Sequence, residues 1–196
     1  MARPSLRENI LDAGLHVMFR HGYNGTGVRD ICAAAKAPQG SFTNHFRSKE
    51  AFALEVLDRY FAYVQTLVAD ALENPKRSPR QRLKRYLDVI TGKLAADEFL
   101  RGCLIADFSL EAVPHSEKIR RRLLEIFAEW RKPFATCIAE AQAAGEIDRT
   151  FAADELAEFL LASWHGAILR MKVERSASPL QRFKRIAFAT VFKEPA

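Results

Sequence analysis

The chain has 196 residues, of which 48% are hydrophobic, and it carries 30 lysines and arginines against 24 aspartates and glutamates. This length suits one sizeable core or a small domain joined to a larger one, and no apolar run approaches the roughly 20 residues that a membrane span needs. The net charge of +6 favours contact with a polyanion without requiring it. The first residues form no apolar signal segment, so we expect a cytoplasmic protein without a membrane partner.

The first predicted helix spans residues 5 to 21. Its apolar residues, among them Ile10, Leu11 and Met18, recur at helical spacing and form a wide stripe on one face. Gly22 follows directly and is typical of the left-handed cap that ends a helix. We expect this helix to support a small N-terminal domain.

Residues 26 to 46 are typical of two short helices joined by a tight turn. Thr26 is a good N-cap for the first helix, and Pro38 ends that helix because proline lacks a donor and restricts its neighbour. The second helix is short and polar, whereas Phe42 and Phe46 lie one helical turn apart and can anchor it inward. A helix that exposes hydrogen-bonding side chains in this way suits the DNA major groove. The stretch predicts a helix-turn-helix.

Roughly the first fifty residues resemble the tetracycline-repressor (TetR) family. Two positions depart from the family pattern: Gly27, where a Ser or Thr is common, and Thr43, where a Tyr often contacts the DNA backbone. The resemblance implies a DNA-binding domain over residues 1 to 48 and a helical regulatory domain over residues 49 to 196. It rests on Gly22-Tyr23, Thr26, Val28-Arg29-Asp30-Ile31, Ala34-Ala35, Gly40-Ser41-Phe42, His45-Phe46 and Lys49-Glu50-Ala51-Phe52.

The motif supplies candidate contacts to DNA. The side chains predicted to contact base edges or the nearby backbone are Ser41, Thr43, Asn44 and His45. Those predicted to position the DNA backbone are Thr26, Arg29, Lys36 and Lys49. In a dimer, two recognition helices would enter successive major grooves about 34–36 Å apart, so the expected partner is a double-stranded, pseudo-palindromic operator. The full candidate set is Thr26, Arg29, Lys36, Gln39, Gly40, Ser41, Phe42, Thr43, Asn44, His45 and Lys49.

The rest of the chain is predicted to be helical as well. No stretch shows sustained two-residue alternation, so the predicted fold class is all-α, with an N-terminal three-helix DNA-binding domain joined to a larger ligand-binding and dimerisation domain. The basic runs at 76 to 85 and 118 to 122 are interpreted mainly as solvated helix faces. The remaining helices are predicted near residues 48 to 73, 79 to 95, 103 to 112, 115 to 144, 153 to 174 and 179 to 192.

A second segment, Arg101-Gly102-Cys103-Leu104, resembles the Gly-Cys-Leu element in the regulatory domain of one TetR branch. Some members of that branch sense electrophiles or oxidants through this cysteine. A reactive thiolate is favoured at a helix N-terminus and near cations, and Cys103 is predicted to have both. Cys103 is therefore a sensor candidate, and a sensor at this position is predicted to have a lowered thiol pKa. The alternative is a small, inert, buried residue.

The resemblance also implies a pocket in the regulatory domain for a small-molecule effector. A pocket for a small apolar or aromatic ligand would be lined by a subset of the aromatic side chains and by a few polar groups such as Tyr86, Asp107, Gln142 or His165. Effector binding, or modification of Cys103, is expected to tilt the fourth helix and so change the spacing of the recognition helices. The pocket candidates are Tyr86, Phe99, Leu104, Asp107, Phe108, Phe127, Trp130, Phe134, Trp164 and His165.

The last two predicted helices carry more apolar residues than one core-facing side needs. The resemblance implies a two-fold homodimer in which these helices pack as a four-helix bundle. The alternative is that both helices only complete a monomeric core. The interface candidates are Leu160, Ser163, Ala167, Ile168, Met171, Phe183, Ile186 and Ala187.

Enzymatic motifs are absent from the sequence. It contains no Gly-rich phosphate loop, no His-Glu-x-x-His and no Gly-x-Ser-x-Gly, and its five histidines are scattered. We therefore expect no enzyme, no cofactor and no metal site. Two alternatives to a regulator stay open: a helical thiol-dependent or ligand-carrying protein whose N-terminal motif is structural, and a non-specific nucleoid-type protein. Specific binding to a palindromic operator would distinguish the regulator from both.

Overall fold

The computed structural model describes residues 5 to 195, and within that range every regular element is a helix. The prediction of an all-α fold is confirmed. Pro133 lies inside α7, which continues as one helix on both sides of it although proline has no N–H to donate to residue 129. The helices are α1 (Leu6–His21), α2 (Val28–Ala34), α3 (Gln39–His45), α4 (Lys49–Leu72), α5 (Pro79–Ala96), α6 (Leu104–Glu111), α7 (Glu117–Ala143), α8 (Ala153–Glu174) and α9 (Ser178–Ala189).

The chain divides into two compact units. The first contains the residues up to Tyr63 together with Cys103–Glu125, and the second contains Val64–Gly102 together with the residues from Ile126 onward. Helix α6 and the first part of α7 therefore belong to the same unit as the helix-turn-helix. These units divide the chain differently from the sequence domains predicted to meet at residue 48.

The first unit is built on the three short N-terminal helices. Ser5 caps α1, and Gly22 ends it with a φ of 74°, as the sequence predicts. The N-cap of α2 is Gly27, whose N–H donates to the Asp30 carboxylate at 2.7 Å. The prediction that Thr26 caps α2 is wrong, because its hydroxyl donates to the carbonyl oxygen of Gly22 at 2.7 Å.

The second unit contains α5, α8, α9 and most of α7. Ser78 and Gln81 form a capping box at the start of α5, with Pro79 in its first turn. Two arginines of the basic run turn back onto the protein: Arg80 donates to carbonyl oxygens near the C-terminus, and Arg82 donates to the carbonyl oxygen of Leu72 at 2.6 Å. The interpretation of this run as a solvated helix face is therefore wrong at these two half-buried positions, whereas Lys84 and Arg85 are exposed as expected.

Candidate DNA-binding site and regulatory helices

Two phenylalanines hold α3 against the first unit. Phe42 and Phe46 are buried, and their ring centroids lie 5.1 Å and 4.7 Å from that of Phe52 on α4. The two rings are 5.3 Å from one another, so the three form one aromatic cluster. The predicted inward anchoring of α3 is confirmed.

The opposite face of α3 is polar and open. Gln39, Thr43, Asn44 and His45 are exposed, and Ser41 is half-buried. The Thr43 hydroxyl donates to the backbone carbonyl oxygen of residue 40 at 2.9 Å, which fixes its rotamer. Amide, imidazole and hydroxyl groups on one short helix can read the donors and acceptors of base edges in the major groove.

Gly40 adds room at the start of α3. A Cβ at this position would meet no heavy atom within 4 Å, so the glycine is not required by packing inside the protein. Its exposure leaves the backbone at the start of the helix open to a close partner.

Two predicted DNA contacts need correction, and a third residue has an unexpected environment. Thr26 and Phe42 are buried in the first unit, so neither side chain has surface to offer DNA. Lys49 is half-buried, with its ammonium 4.5 Å from the ring centroid of Tyr23, and burial lowers the pKa of Lys49. The sequence did not indicate that this lysine packs on an aromatic ring.

Other cationic side chains of the first unit are exposed and available for contact with DNA. Arg29 and Lys36 are exposed, as the predicted positioning of DNA requires. Arg47 is also exposed and lies two residues after the end of α3, although it was not among the predicted contacts. Its position one residue after Phe46 was the signal that could have identified it.

Helix α7 and the residue before it contact α4 through polar groups inside the first unit. The Glu50 carboxylate at the start of α4 accepts from the Ser116 hydroxyl at 2.6 Å and from the Lys118 ammonium at 3.0 Å. These contacts lower the pKa of Glu50, with the Ser116 hydrogen bond as the largest cause. The Arg122 guanidinium donates to Asp58 at 2.6 Å. The second basic run is thus partly used within the protein.

Cys103 is the N-cap of α6, as the sequence predicts, but its environment differs from the expected one. The thiol is buried, and this burial raises the pKa of Cys103 to about 11. The backbone N–H groups of Ala106 and Ile105 and the Tyr60 hydroxyl act in the opposite direction with smaller effects. The prediction of a lowered pKa is therefore wrong. The Arg101 guanidinium, expected to lower it, donates to Asp97 at 2.7 Å.

The pocket candidates fall into both compact units. Leu104, Asp107 and Phe108 belong to the first unit, whereas Phe99 and the others belong to the second. The second unit brings together two aromatic groups, Tyr86 with Phe134, and His165 with Phe127 and Trp130.

The histidine of the second group is neutral at physiological pH. Its ring centroid lies 5.2 Å from that of Trp130 and 6.1 Å from that of Phe127, and burial lowers the pKa of His165 to about 4. A cavity of about 360 Å³ in the second unit lies elsewhere, and of the predicted pocket residues Gln142 alone lines it. Its lining consists of Gln142, Ala143, Gly145, Ile147, Asp148, Arg149 and Pro195.

Helices α8 and α9 expose apolar side chains, but not all of the predicted ones. Leu160, Ile168, Met171 and Ala187 are buried within their own unit, so they have little surface for a second chain. Ser163, Ala167 and Phe183 are half-buried. The predicted Ile186 is exposed. On α8 the exposed face follows a three-four spacing that continues over four turns. We call this face the α8 seam, and its residues are Phe159, Ala162, Gly166, Leu169 and Val173.

Within residues 5 to 195, every helix is too short or too polar to span a membrane. Within the same range, no three histidine, cysteine, aspartate or glutamate side chains are grouped so that they could hold a metal ion.

The exposed polar helix on an aromatic anchor defines a helix-turn-helix DNA-binding regulator. Residues 10–56 match the family model described as bacterial regulatory proteins, tetR family, and residues 79–187 match that of the tetracyclin repressor-like C-terminal domain. The chain belongs to this family. Regulators of the family bind DNA operators and act as dimers with small-molecule effectors.

Several relatives are similar over nearly the whole chain. The transcriptional repressor DhaR of Mycobacterium sp. (strain GP1) is 46% identical over 96% of this chain and 93% of its own length. The transcriptional regulator AcuR of Cereibacter sphaeroides is 33% identical over 91% and 81%. A solved regulatory protein TetR from Rhodobacter sphaeroides has a TM-score of 0.88 at 33% identity over 93% of this chain and 97% of that chain. The reduced form of Escherichia coli NemR has a TM-score of 0.84 at 25% identity over 97% and 98%.

Proposed function

We propose that this regulator is a repressor that binds a pseudo-palindromic operator as a homodimer and leaves it when a small-molecule effector binds. The observation that carries the proposal is the two-sided α3, with Phe42 buried on one side and Asn44 and His45 exposed on the other. The repressor names of relatives such as DhaR support the direction of regulation. Because operator DNA lies in the cytoplasm, the proposal also places the protein there.

Asn44 and His45 are proposed to read base edges, since both are exposed near the end of α3 and both can donate and accept hydrogen bonds. The other polar groups of α3 near them are the side chains of Gln39, Ser41 and Thr43 and the backbone at residue 40. Exposed cations next to α3, namely Arg29, Lys36 and Arg47, are proposed to contact phosphates and to set the position of the helix on the duplex.

The α8 seam is proposed to form the dimer interface together with Ile186 of α9. Three large side chains of the seam, Phe159, Leu169 and Val173, are exposed to between 45% and 74%. Gly166 lies at the middle of the seam, where the lack of a side chain permits a close approach of two helices. Covering such a face with a second copy removes apolar surface from water, which is the main favourable term in association.

The effector is proposed to be a small apolar or aromatic molecule that contacts the aromatic side chains of the regulatory helices. The group formed by Phe127, Trp130 and His165 supports this class, because its polar member is uncharged. Binding is proposed to tilt α4 and thereby change the spacing of the two recognition helices.

An electrophile or oxidant acting on Cys103 is a second candidate effector. The Tyr60 hydroxyl and two backbone N–H groups favour the thiolate once the proton has left. The solved structure of the relative NemR is of its reduced form, which supports an oxidant as a candidate effector. Because the Cys103 thiol is buried and its pKa is raised, its modification requires a local opening of the start of α6.

The test is selection of binding sequences from a random pool of DNA duplexes, followed by gel-shift titration of the selected duplex and of a scrambled one. The repressor is expected to select an inverted repeat and to bind it at least a thousand times more tightly than the scrambled duplex. Equal affinity for both duplexes would support a nucleoid-type protein. Absence of DNA binding would support a thiol-dependent or ligand-carrying protein.

A further inference from the structure

The end of α6 contacts the turn between α1 and α2. The Glu111 carboxylate accepts a hydrogen bond from the backbone N–H of Asn24 at 3.0 Å, and the Asn24 side-chain amide donates to the Glu111 carbonyl oxygen at 3.2 Å. One residue earlier in the turn, the ring of Tyr23 lies 5.5 Å from that of Phe108, also on α6. The side chain and backbone of Glu111 and the ring of Phe108 therefore all hold the α1–α2 turn against α6.

Gly22 makes this close approach possible. Its φ of 74° lies in the left-handed region, and a Cβ at this position would collide with the Glu111 carboxylate. The turn and the Glu111 carboxylate are thus in close contact, so a shift of α6 moves the carboxylate that the turn binds.

The α1–α2 turn also determines where α2 starts. Thr26 donates its hydroxyl proton to the carbonyl oxygen of Gly22, which ties the end of the turn to its beginning. Gly27 then caps α2, and α2 packs against both α1 and α3. A displacement of the turn would therefore reach α2 through hydrogen-bonded backbone and α3 through the packing of α2 against it.

The other end of α6 starts at Cys103. The eight residues of Leu104–Glu111 span about 12 Å at the usual rise of an α-helix. Leu104, Ile105 and Phe108 are fully buried, so α6 is fixed along its length rather than at one contact. One short, rigid helix, α6, therefore links Cys103 at its start to the α1–α2 turn at its end.

We propose that Glu111 is a positioning residue that couples the docking of α6 to the geometry of the DNA-binding helices. This proposal rests on the operator binding proposed above. The Glu111 contact acts on the α1–α2 turn. The contacts of Glu50 and Asp58 are separate from it and connect α7 to α4. Because coupling between sites is reciprocal, operator binding must hold α6 in place, just as release of α6 must weaken operator binding.

The experiment uses N-ethylmaleimide as a reporter for opening of the start of α6. The rate of Cys103 modification is measured by mass spectrometry in the full chain, with and without a saturating amount of the selected duplex. In the wild type, the duplex is expected to slow the modification of Cys103 at least threefold. Cys137, in the second unit, serves as the internal control and is expected to change less than 1.5-fold.

The variants distinguish the loss of the Glu111 contact from a general effect of removing a negative charge. Glu111→Ala is expected to bring the ratio of Cys103 rates below 1.5, while Glu111→Gln keeps at least half of the protection because its amide oxygen still accepts from Asn24. Glu117→Ala is the matched control, since it removes a carboxylate of the same unit that pairs with Arg120 and Arg121 on its own helix. It is expected to behave as the wild type.

The inference is wrong if the duplex binds but protects Cys103 equally in the wild type and in Glu111→Ala, or if it does not protect Cys103 in the wild type. Should Glu111→Ala fail to fold, as judged by circular dichroism, Asn24→Ala removes one of the two hydrogen bonds and is expected to halve the protection; unchanged protection there would also overturn the proposal. Failure of the wild type to bind any selected duplex would instead contradict the proposed function.

Discussion

Helices α3 and α8 both expose one face to solvent, and the two faces have opposite chemistry. Helix α3 has seven residues, buries one phenylalanine and exposes amide, imidazole and hydroxyl groups. Helix α8 has 22 residues, buries seven side chains and still exposes Phe159, Leu169 and Val173. A short polar face suits base edges, whereas a long apolar face suits another protein surface.

The contrast also concerns how each helix is held. A helix as short as α3 is not stable alone, so its position depends on the contacts of Phe42 and Phe46 with α4. Helix α8 is long and is fixed by its own buried stripe, so its exposed seam can change without unfolding the helix. Substitutions on the two faces should therefore separate DNA reading, folding and assembly.

The largest expected effect is on assembly. Leu169→Glu in the α8 seam would bury one unpaired carboxylate per copy, at a cost of about 3–5 kcal/mol each. The dimer should dissociate in analytical ultracentrifugation, and operator affinity should fall because the two half-sites are no longer linked. Leu124→Glu is the matched control, since Leu124 is 56% exposed and Leu169 is 53% exposed. A stable dimer of Leu169→Glu would remove the seam from the interface.

The second largest effect is expected on the stability of the fold, through Phe42, which anchors α3. Phe42→Ala should lower the free energy of unfolding by about 3–5 kcal/mol, because a fully buried ring leaves a cavity. Urea unfolding monitored by circular dichroism measures this loss. Thr43→Ala, on the exposed face of the same helix, should change stability by less than about 0.5 kcal/mol. Equal losses for the two variants would contradict the two-sided α3.

A smaller effect is expected for reading of the operator. Asn44→Ala and His45→Ala should each cost about 1–3 kcal/mol on the selected duplex and little on a scrambled one. Arg47→Ala should weaken binding to both duplexes and reduce the slope of log affinity against log salt by about one. Gel-shift titrations at two salt concentrations distinguish these patterns. If Asn44→Ala and His45→Ala lose as much on the scrambled duplex, the assignment of base reading fails.

The smallest effect concerns a residue that belongs to neither face. Because the pKa of the buried Cys103 thiol is about 11, its rate of reaction with N-ethylmaleimide should rise roughly tenfold per pH unit from pH 7 to 9. A free cysteine, with a pKa of about 8.5, should level off within that range. Mass spectrometry of the modified peptide measures the rate. A plateau near pH 8.5 would indicate an exposed thiol.

The same thiol should affect stability in a defined direction. Its pKa is higher in the folded protein than in the unfolded chain, so its contribution is complete below about pH 8.5 and is lost as the pH rises through about 11. The free energy of unfolding should therefore fall between pH 8.5 and 10.5, and less so in Cys103→Ser. An equal decline in both proteins would show that other groups dominate.

The helix boundaries and the inward anchors of α3 were predictable because they depend on neighbours in sequence. Pro79, Gly22 and the spacing of Phe42 and Phe46 act within one or two turns, where rules of capping and periodicity apply. The error at Thr26 was also local: both Thr26 and Gly27 can precede a helix, and only the packing of the turn decided between them.

The sequence by itself determined the all-α class, the helix-turn-helix and the polar face of α3, since residue type and helical spacing fix these over short distances. Only the tertiary structure decided which apolar residues of α8 are covered, that Lys49 lies on Tyr23, and that the Cys103 thiol is buried. It alone brought Glu111 to Asn24, 87 residues away in the chain. Burial, pKa and such long-range contacts depend on which elements pack together, and no local pattern encodes that choice.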